Sequence, residues 1–137
     1  MDRHDWHCWT DEASPTYELK LFKQPKLKIA TCALTENGVL RVLNLPGYAK
    51  RAPPGFDRVR QKLALACNDF DHEFWPCSLS LRDETIVDWS RVMGHNQITD
   101  AYLLALAVHH SGALATLDHR VALSAVGGAT GKNLKLL

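Results

Sequence analysis

Three carboxylates stand where chemistry could use them. Asp118 directly follows the apolar run 113–117 (ALATL), and Glu36 follows the apolar run 29–34 (IATCAL) by two residues. Asp100 lies in the first turn of a helical pattern that feeds the 113–117 run. Read as parallel strands, the two runs deliver Asp118 and Glu36 to their carboxyl ends, where open α/β sheets gather ligands. Right-handed connections between neighbouring parallel elements bring Asp100 to the same rim. Carboxylates clustered there repel one another and need a cation, and hard oxygen donors favour Mg²⁺ or Mn²⁺. Such a metal can position and deprotonate a water for attack on a phosphodiester. The same residues carry a plainer reading: Asp100 favours the dipole at a helix N-terminus, and Asp118 caps the helix after it.

Other constellations are weaker. His4, His7 and Cys8 are zinc-type donors, but no partner pair at site-like spacing follows them. His109 and His110 end a helix, where positive charge suits the dipole. The stretch 127–132 (GGATGK) is no phosphate loop, because Val126 holds the first glycine position and Asn133 the hydroxyl position. Ser78, Ser80 and Ser90 sit in no nucleophile elbow.

The elements that must position the acidic trio read as follows. The run 29–34 is a strand covered on both faces. Thr35 is an N-cap candidate, and 38–43 continues as a short helix stopped by Asn44 and Pro46. Residues 46–55 are a loop by composition. Phe56, Val59, Leu63 and Ala66 share one face of a helix ending near Asn68 and Asp69. Residues 73–77 form a short strand near a sheet edge, because Pro76 cannot donate to a ladder. Asp83 is expected to cap a helix running to about Val92. Asn96 or Thr99 opens a helix through His110 that Gly112 closes, followed by the strand 113–117. A short helix over 120–126, a Gly-rich turn and the apolar stretch 134–136 complete the chain. Strands alternating with helices define an α/β fold with a central, mostly parallel sheet.

The chain has 137 residues, which suits one domain over 1–137, with residues 1–27 as an atypical opening segment. Hydrophobic residues make up 46% and charged residues 23%, which excludes intrinsic disorder. The net charge of +1 excludes a polycationic nucleic-acid binder, although a local basic face is compatible with it. No apolar run approaches a membrane span, and the acidic, His-rich start is unlike a secretion signal, so a cytoplasmic location is expected. The four cysteines include no CxxC pair, and reduced thiols are expected.

Three segments together carry a resemblance. Residues 30–42 (ATCALTENGVLRV) resemble the ATCPLTENG-type segment of the PIN-domain ribonucleases of the VapC toxin family. Residues 94–107 (GHNQITDAYLLALA) are similar to that family's H-x-Q-[IV]-T-D-A-Y-L-L-A-L-A helix, and 112–118 (GALATLD) to its G-x-L-A-T-[FL]-D strand end. The resemblance runs from about Lys28 to Val126, with the motifs in the family's order. It implies a PIN-like three-layer fold with helices on both faces of the sheet. It also implies a Mg²⁺-dependent ribonuclease (Mn²⁺ as the other candidate), the toxin half of a type II toxin–antitoxin pair. Such a toxin is inhibited by a VapB-type antitoxin, is commonly a homodimer, acts on RNA and has no membrane partner. Glu36, Asp100 and Asp118 fall on its acidic positions, and Thr99 on a supporting hydroxyl.

The opening segment departs from the family. Members begin with an apolar strand ending in an acidic residue, roughly L-L-D-x-N-V-L, and nothing in 1–27 has that form. Either 17–22 (YELKLF) supplies a replacement strand, or the sheet lacks one and is marginal. Asp2 or Asp5 would substitute for the missing carboxylate only through an unusual backbone path. Three functions are weighed: a metal-dependent RNA endonuclease, with Arg41, Lys50, Arg51 and Arg82 as candidate phosphate contacts; a catalytically weak or inactive PIN-like remnant that binds an antitoxin or RNA; and a small nucleotide-binding enzyme, disfavoured by the lack of a Gly-rich cradle.

Overall fold

The computed structural model describes residues 6–8, 28–46 and 52–137. Among these residues five parallel strands form one sheet: β1 (Trp6–Cys8), β2 (Lys28–Thr31), β3 (Asp71–Phe74), β4 (Ala113–Thr116) and β5 (Leu134–Leu136). Their spatial order is β3-β2-β1-β4-β5. The α/β class with a parallel sheet is therefore as expected.

The centre is held by β1. His7 pairs with Ile29 on one side and with Ala113 on the other. Trp-His-Cys carries neither an apolar run nor an alternation long enough to mark it as a strand, and it ends in Cys8 rather than an acidic residue. The expected replacement strand at 17–22, together with Asp2 and Asp5, lies outside the described residues.

Among the described residues three α-helices pack with the sheet: α1 (Ala33–Val42), α2 (Phe56–Asp69) and α3 (Ile98–His109). Strand alternation shows which face α2 and α3 cover. Ile29, Thr31 and His72 share a small cavity with Leu63, Ala66, Cys67 and Phe70, so α2 lies over that face. Ala30 points the opposite way and joins the main core with Leu103, Leu104 and Leu106 of α3. Residues 101–107 of α3 are all buried, as expected of a helix that is apolar all round. Leu104, Leu106 and Leu114 are fully enclosed, each burial contributing roughly 1.5–3 kcal/mol.

Several boundaries differ from expectation. Strand β2 stops at Thr31 because Cys32 already caps α1: the Thr35 hydroxyl accepts the Cys32 N–H and donates to the Cys32 carbonyl, both at 2.9 Å. Thr35 thus sits inside the first turn of α1 rather than at its cap. Strand β3 begins and ends earlier than 73–77 but is an edge strand, and the Trp75 N–H still donates to the Thr31 carbonyl at 2.7 Å. No α-helix spans 83–92. Asp83 instead closes a turn, accepting the Thr85 N–H at 2.9 Å, and a single 3-10 turn covers Trp89–Arg91. Likewise 120–126 holds only the 3-10 turn Leu123–Ala125. Both stretches spend their backbone groups on each other: Val87 bridges Val126, and the Asp88 N–H donates to the Ala125 carbonyl at 2.7 Å. Gly127 permits that approach, since a Cβ there would lie 2.2 Å from the Thr85 carbonyl oxygen. After α3, Ser111 rather than Gly112 takes the left-handed conformation, at φ 56°. Cys32, Cys67 and Cys77 are free thiols. No helix among the described residues is long and apolar enough to cross a membrane.

Candidate active site

In this sheet the chain winds outward from β1 to β3 and then returns to place β4 and β5 on the other side. The winding reverses at β1. Ligands of open α/β sheets bind at such a reversal, beyond the carboxyl ends of the strands.

Glu36 lies in the first turn of α1, immediately past the carboxyl end of β2. Its Oε1 accepts a hydrogen bond from the Thr31 hydroxyl at 2.8 Å. The Thr31 oxygen also lies 2.8 Å from Nε2 of His72 on β3. Cys67 of α2 is close enough that burial first, and the Glu36 charge second, push its thiol pKa up. Neither Thr31 nor His72 stands out in the sequence. They meet on a diagonal across two neighbouring strands, which no spacing along the chain reveals.

Asp118 sits two residues past β4, on the other side of β1. Its N–H donates to the Thr116 hydroxyl at 3.0 Å. Its carboxylate accepts the Arg120 backbone N–H at 2.8 Å, and the guanidinium grips both oxygens: Nε to Oδ1 at 3.0 Å and Nη2 to Oδ2 at 2.9 Å. Those Arg120 bonds hold the Asp118 carboxyl below its ordinary value. The capping reading of Asp118 is thus partly realised, on a turn rather than on a helix.

Asp100 is half-buried in the first turn of α3. That helix packs on β4 and precedes it in the chain, so its N-terminus points to the carboxyl edge of the sheet. Gln97 fixes this start. Its Oε1 accepts the Met93 N–H at 2.8 Å, and its Nε2 donates to the Arg120 carbonyl at 2.6 Å. The beginning of α3 is thereby tied to the loop that carries Asp118. Thr99 is exposed beside it.

All three predicted carboxylates therefore belong to elements that end or begin at one edge. Their donor chemistry, hard oxygen at every position, fits a divalent cation such as Mg²⁺ or Mn²⁺. Among the described residues, however, no three His, Cys, Asp or Glu side chains are gathered closely enough to hold a metal ion. Asp118 is turned into Arg120 instead. Of the candidate phosphate contacts, Arg41 and Arg82 are exposed, with Arg82 bonded to the Ser80 hydroxyl, while Lys50 and Arg51 lie outside the described residues.

Fold and edge define an α/β domain of the PIN type, with acidic residues flanking a central parallel strand. Likenesses to known proteins agree. Over 108 residues the chain is 44% identical to Ribonuclease VapC44 of Mycobacterium tuberculosis, covering 79% of this chain and 75% of that protein. It is 39% identical to Ribonuclease VapC29 of the same organism over 93 residues, 68% of this chain and 63% of that one. With Ribonuclease VapC39 it shares 31% over 99 residues, 72% and 70% of the two chains. The chain belongs to the VapC ribonuclease family. No family model matches it. No solved structure matches it either.

Proposed function

We propose that this protein is a Mg²⁺-dependent endoribonuclease, the toxin of a type II toxin–antitoxin pair, restrained by a VapB-type antitoxin and acting as a homodimer in the cytoplasm. One observation carries the reading: β2 with α1, α3, and β4 bring Glu36, Asp100 and Asp118 to the single sheet edge where the winding reverses. The VapC relatives are named ribonucleases, which fits.

Glu36, Asp100 and Asp118 would hold the cation. When bound, Mg²⁺ supplies a positioned, deprotonated water and offsets charge developing on the phosphate. The chain's own part is orientation. Thr31 fixes one oxygen of Glu36, Gln97 fixes the start of α3 beneath Asp100, and Arg120 holds the Asp118 oxygens for which a cation would compete. Arg41, Lys50, Arg51 and Arg82 offer positive charge to the RNA backbone.

The test is incubation of the purified chain with structured RNA, with Mg²⁺ or with chelator. Cleavage is expected with Mg²⁺ only, and Glu36→Gln and Asp118→Asn should each abolish it. RNA that stays intact under every condition would replace this reading with a non-cleaving relative that binds RNA or antitoxin.

A further inference from the structure

The Thr31 hydroxyl has one hydrogen and two close neighbours. An ionised carboxylate only accepts, so the 2.8 Å contact with Glu36 Oε1 uses that hydrogen. The 2.8 Å contact with His72 Nε2 can then be a hydrogen bond only if the ring nitrogen donates. That contact calls for a proton on Nε2 of His72. The chain of bonds runs one way: imidazole N–H to hydroxyl, hydroxyl to carboxylate. Each bond polarises the next.

The packing around this chain holds it still. Thr31 is only 5% exposed, at the end of β2. His72 pairs in register with Ile29 on the adjacent strand, which sets its ring diagonal to Thr31 on the face that α2 covers. Leu63, Ala66, Cys67 and Phe70 close that face over the two side chains. Among the described residues lining that face, Cys67 is a further titratable group, and burial pushes its thiol pKa up.

We infer that His72 is a positioning residue for Glu36, acting through the Thr31 hydroxyl to fix the carboxylate for the cation. This rests on the proposal that Glu36 is a cation ligand. Groups that orient a metal-binding side chain from behind typically change metal affinity about 10–100-fold when removed.

The test uses the full chain. In the metal-free protein, ¹⁵N spectra of the histidine rings should show His72 protonated at Nε2, and Thr31→Val should abolish that preference. A ring protonated at Nδ1 alone in the unaltered protein would overturn the inference, because Thr31 would then have to donate to His72. Mg²⁺ binding is followed by calorimetry. Thr31→Val and His72→Phe should weaken it about tenfold, and the conservative Thr31→Ser and His72→Gln, which keep a donor in place, should restore it. If Glu36→Gln lowers Mg²⁺ affinity while Thr31→Val and His72→Phe leave it unchanged, the inference fails and the proposed function stands. If Glu36→Gln itself has no effect, both fail. Should the first pair misfold, the tautomer of the unaltered ring and the affinities of the conservative pair still decide.

Discussion

Arg120 meets Asp118 through a backbone N–H and two guanidinium nitrogens, and it takes up both carboxylate oxygens. Those are the atoms a cation would need, so arginine and metal compete for one ligand. Arg120→Ala should therefore lower the Mg²⁺ concentration that half-saturates the protein, measured by calorimetry; a rise would show Arg120 to be an aid to binding. The same substitution should let the Asp118 carboxyl climb toward its ordinary 3.8, read by ¹³C spectra across a pH titration. The sign is fixed by linkage. A depressed carboxyl adds stability above 3.8 that is lost as pH falls through the lower folded value. Because the Arg120 side chain is 66% exposed, its loss should leave the melting temperature at neutral pH nearly unchanged.

Helix α3 joins two functions in one element, and they separate along its length. Leu104 is fully enclosed, so Leu104→Ala should cost about 2–5 kcal/mol and lower the melting temperature visibly. Asp100→Asn, one turn earlier, keeps the shape and removes a charge, so Mg²⁺ affinity should fall while thermal unfolding stays close to that of the parent. An Asp100→Asn protein that melts far lower would reveal a structural carboxylate. Helix α3 and strand β4 were legible in the sequence because burial on all sides writes itself as an unbroken apolar stretch. Helix α2 was legible from its one-sided spacing. The segments around Trp89 and Leu123 were not: both look helical alone, but each satisfies its backbone through the other, across the contact that Gly127 allows. At the site, the strand just before Asp118 could be read within a residue of where it ends, and the one before Glu36 less closely, since β2 stops at Thr31. Arg120's hold on Asp118 and the Thr31–His72 pair could not, being matters of side-chain placement.

Stability of the molecule as a whole should respond to pH through His110. Its ring stacks on the enclosed Trp75, with centroids 4.4 Å apart and planes 8° apart, and its Nε2 is buried without a hydrogen-bond partner among the described residues. Burial first, and His109 beside it second, depress its pKa below the ordinary 6.5. The unfolded chain then takes up a proton at higher pH than the folded one, so stability declines as pH falls through 6.5 and levels off below the folded value. Urea midpoints at pH 7.5 and 5.5 should therefore differ more for the unaltered protein than for His110→Phe, which keeps a stacking ring and cannot be charged. Equal differences would remove His110 as the cause.

The central strand also governs the order of assembly. Its partner β2 follows it closely in the chain, but its other partner, β4, comes from near the opposite end. Of the described strands, β1 therefore emerges before its partners and waits half-paired until β4 has been made. A long-range closure of this kind slows folding relative to neighbour-to-neighbour pairing. Meanwhile the open flank of β1 is a hydrogen-bonding template for any other extended chain. Refolding from denaturant should accordingly be slow and concentration-sensitive, with the last protected amides in exchange experiments lying along the seam between His7 and Ala113.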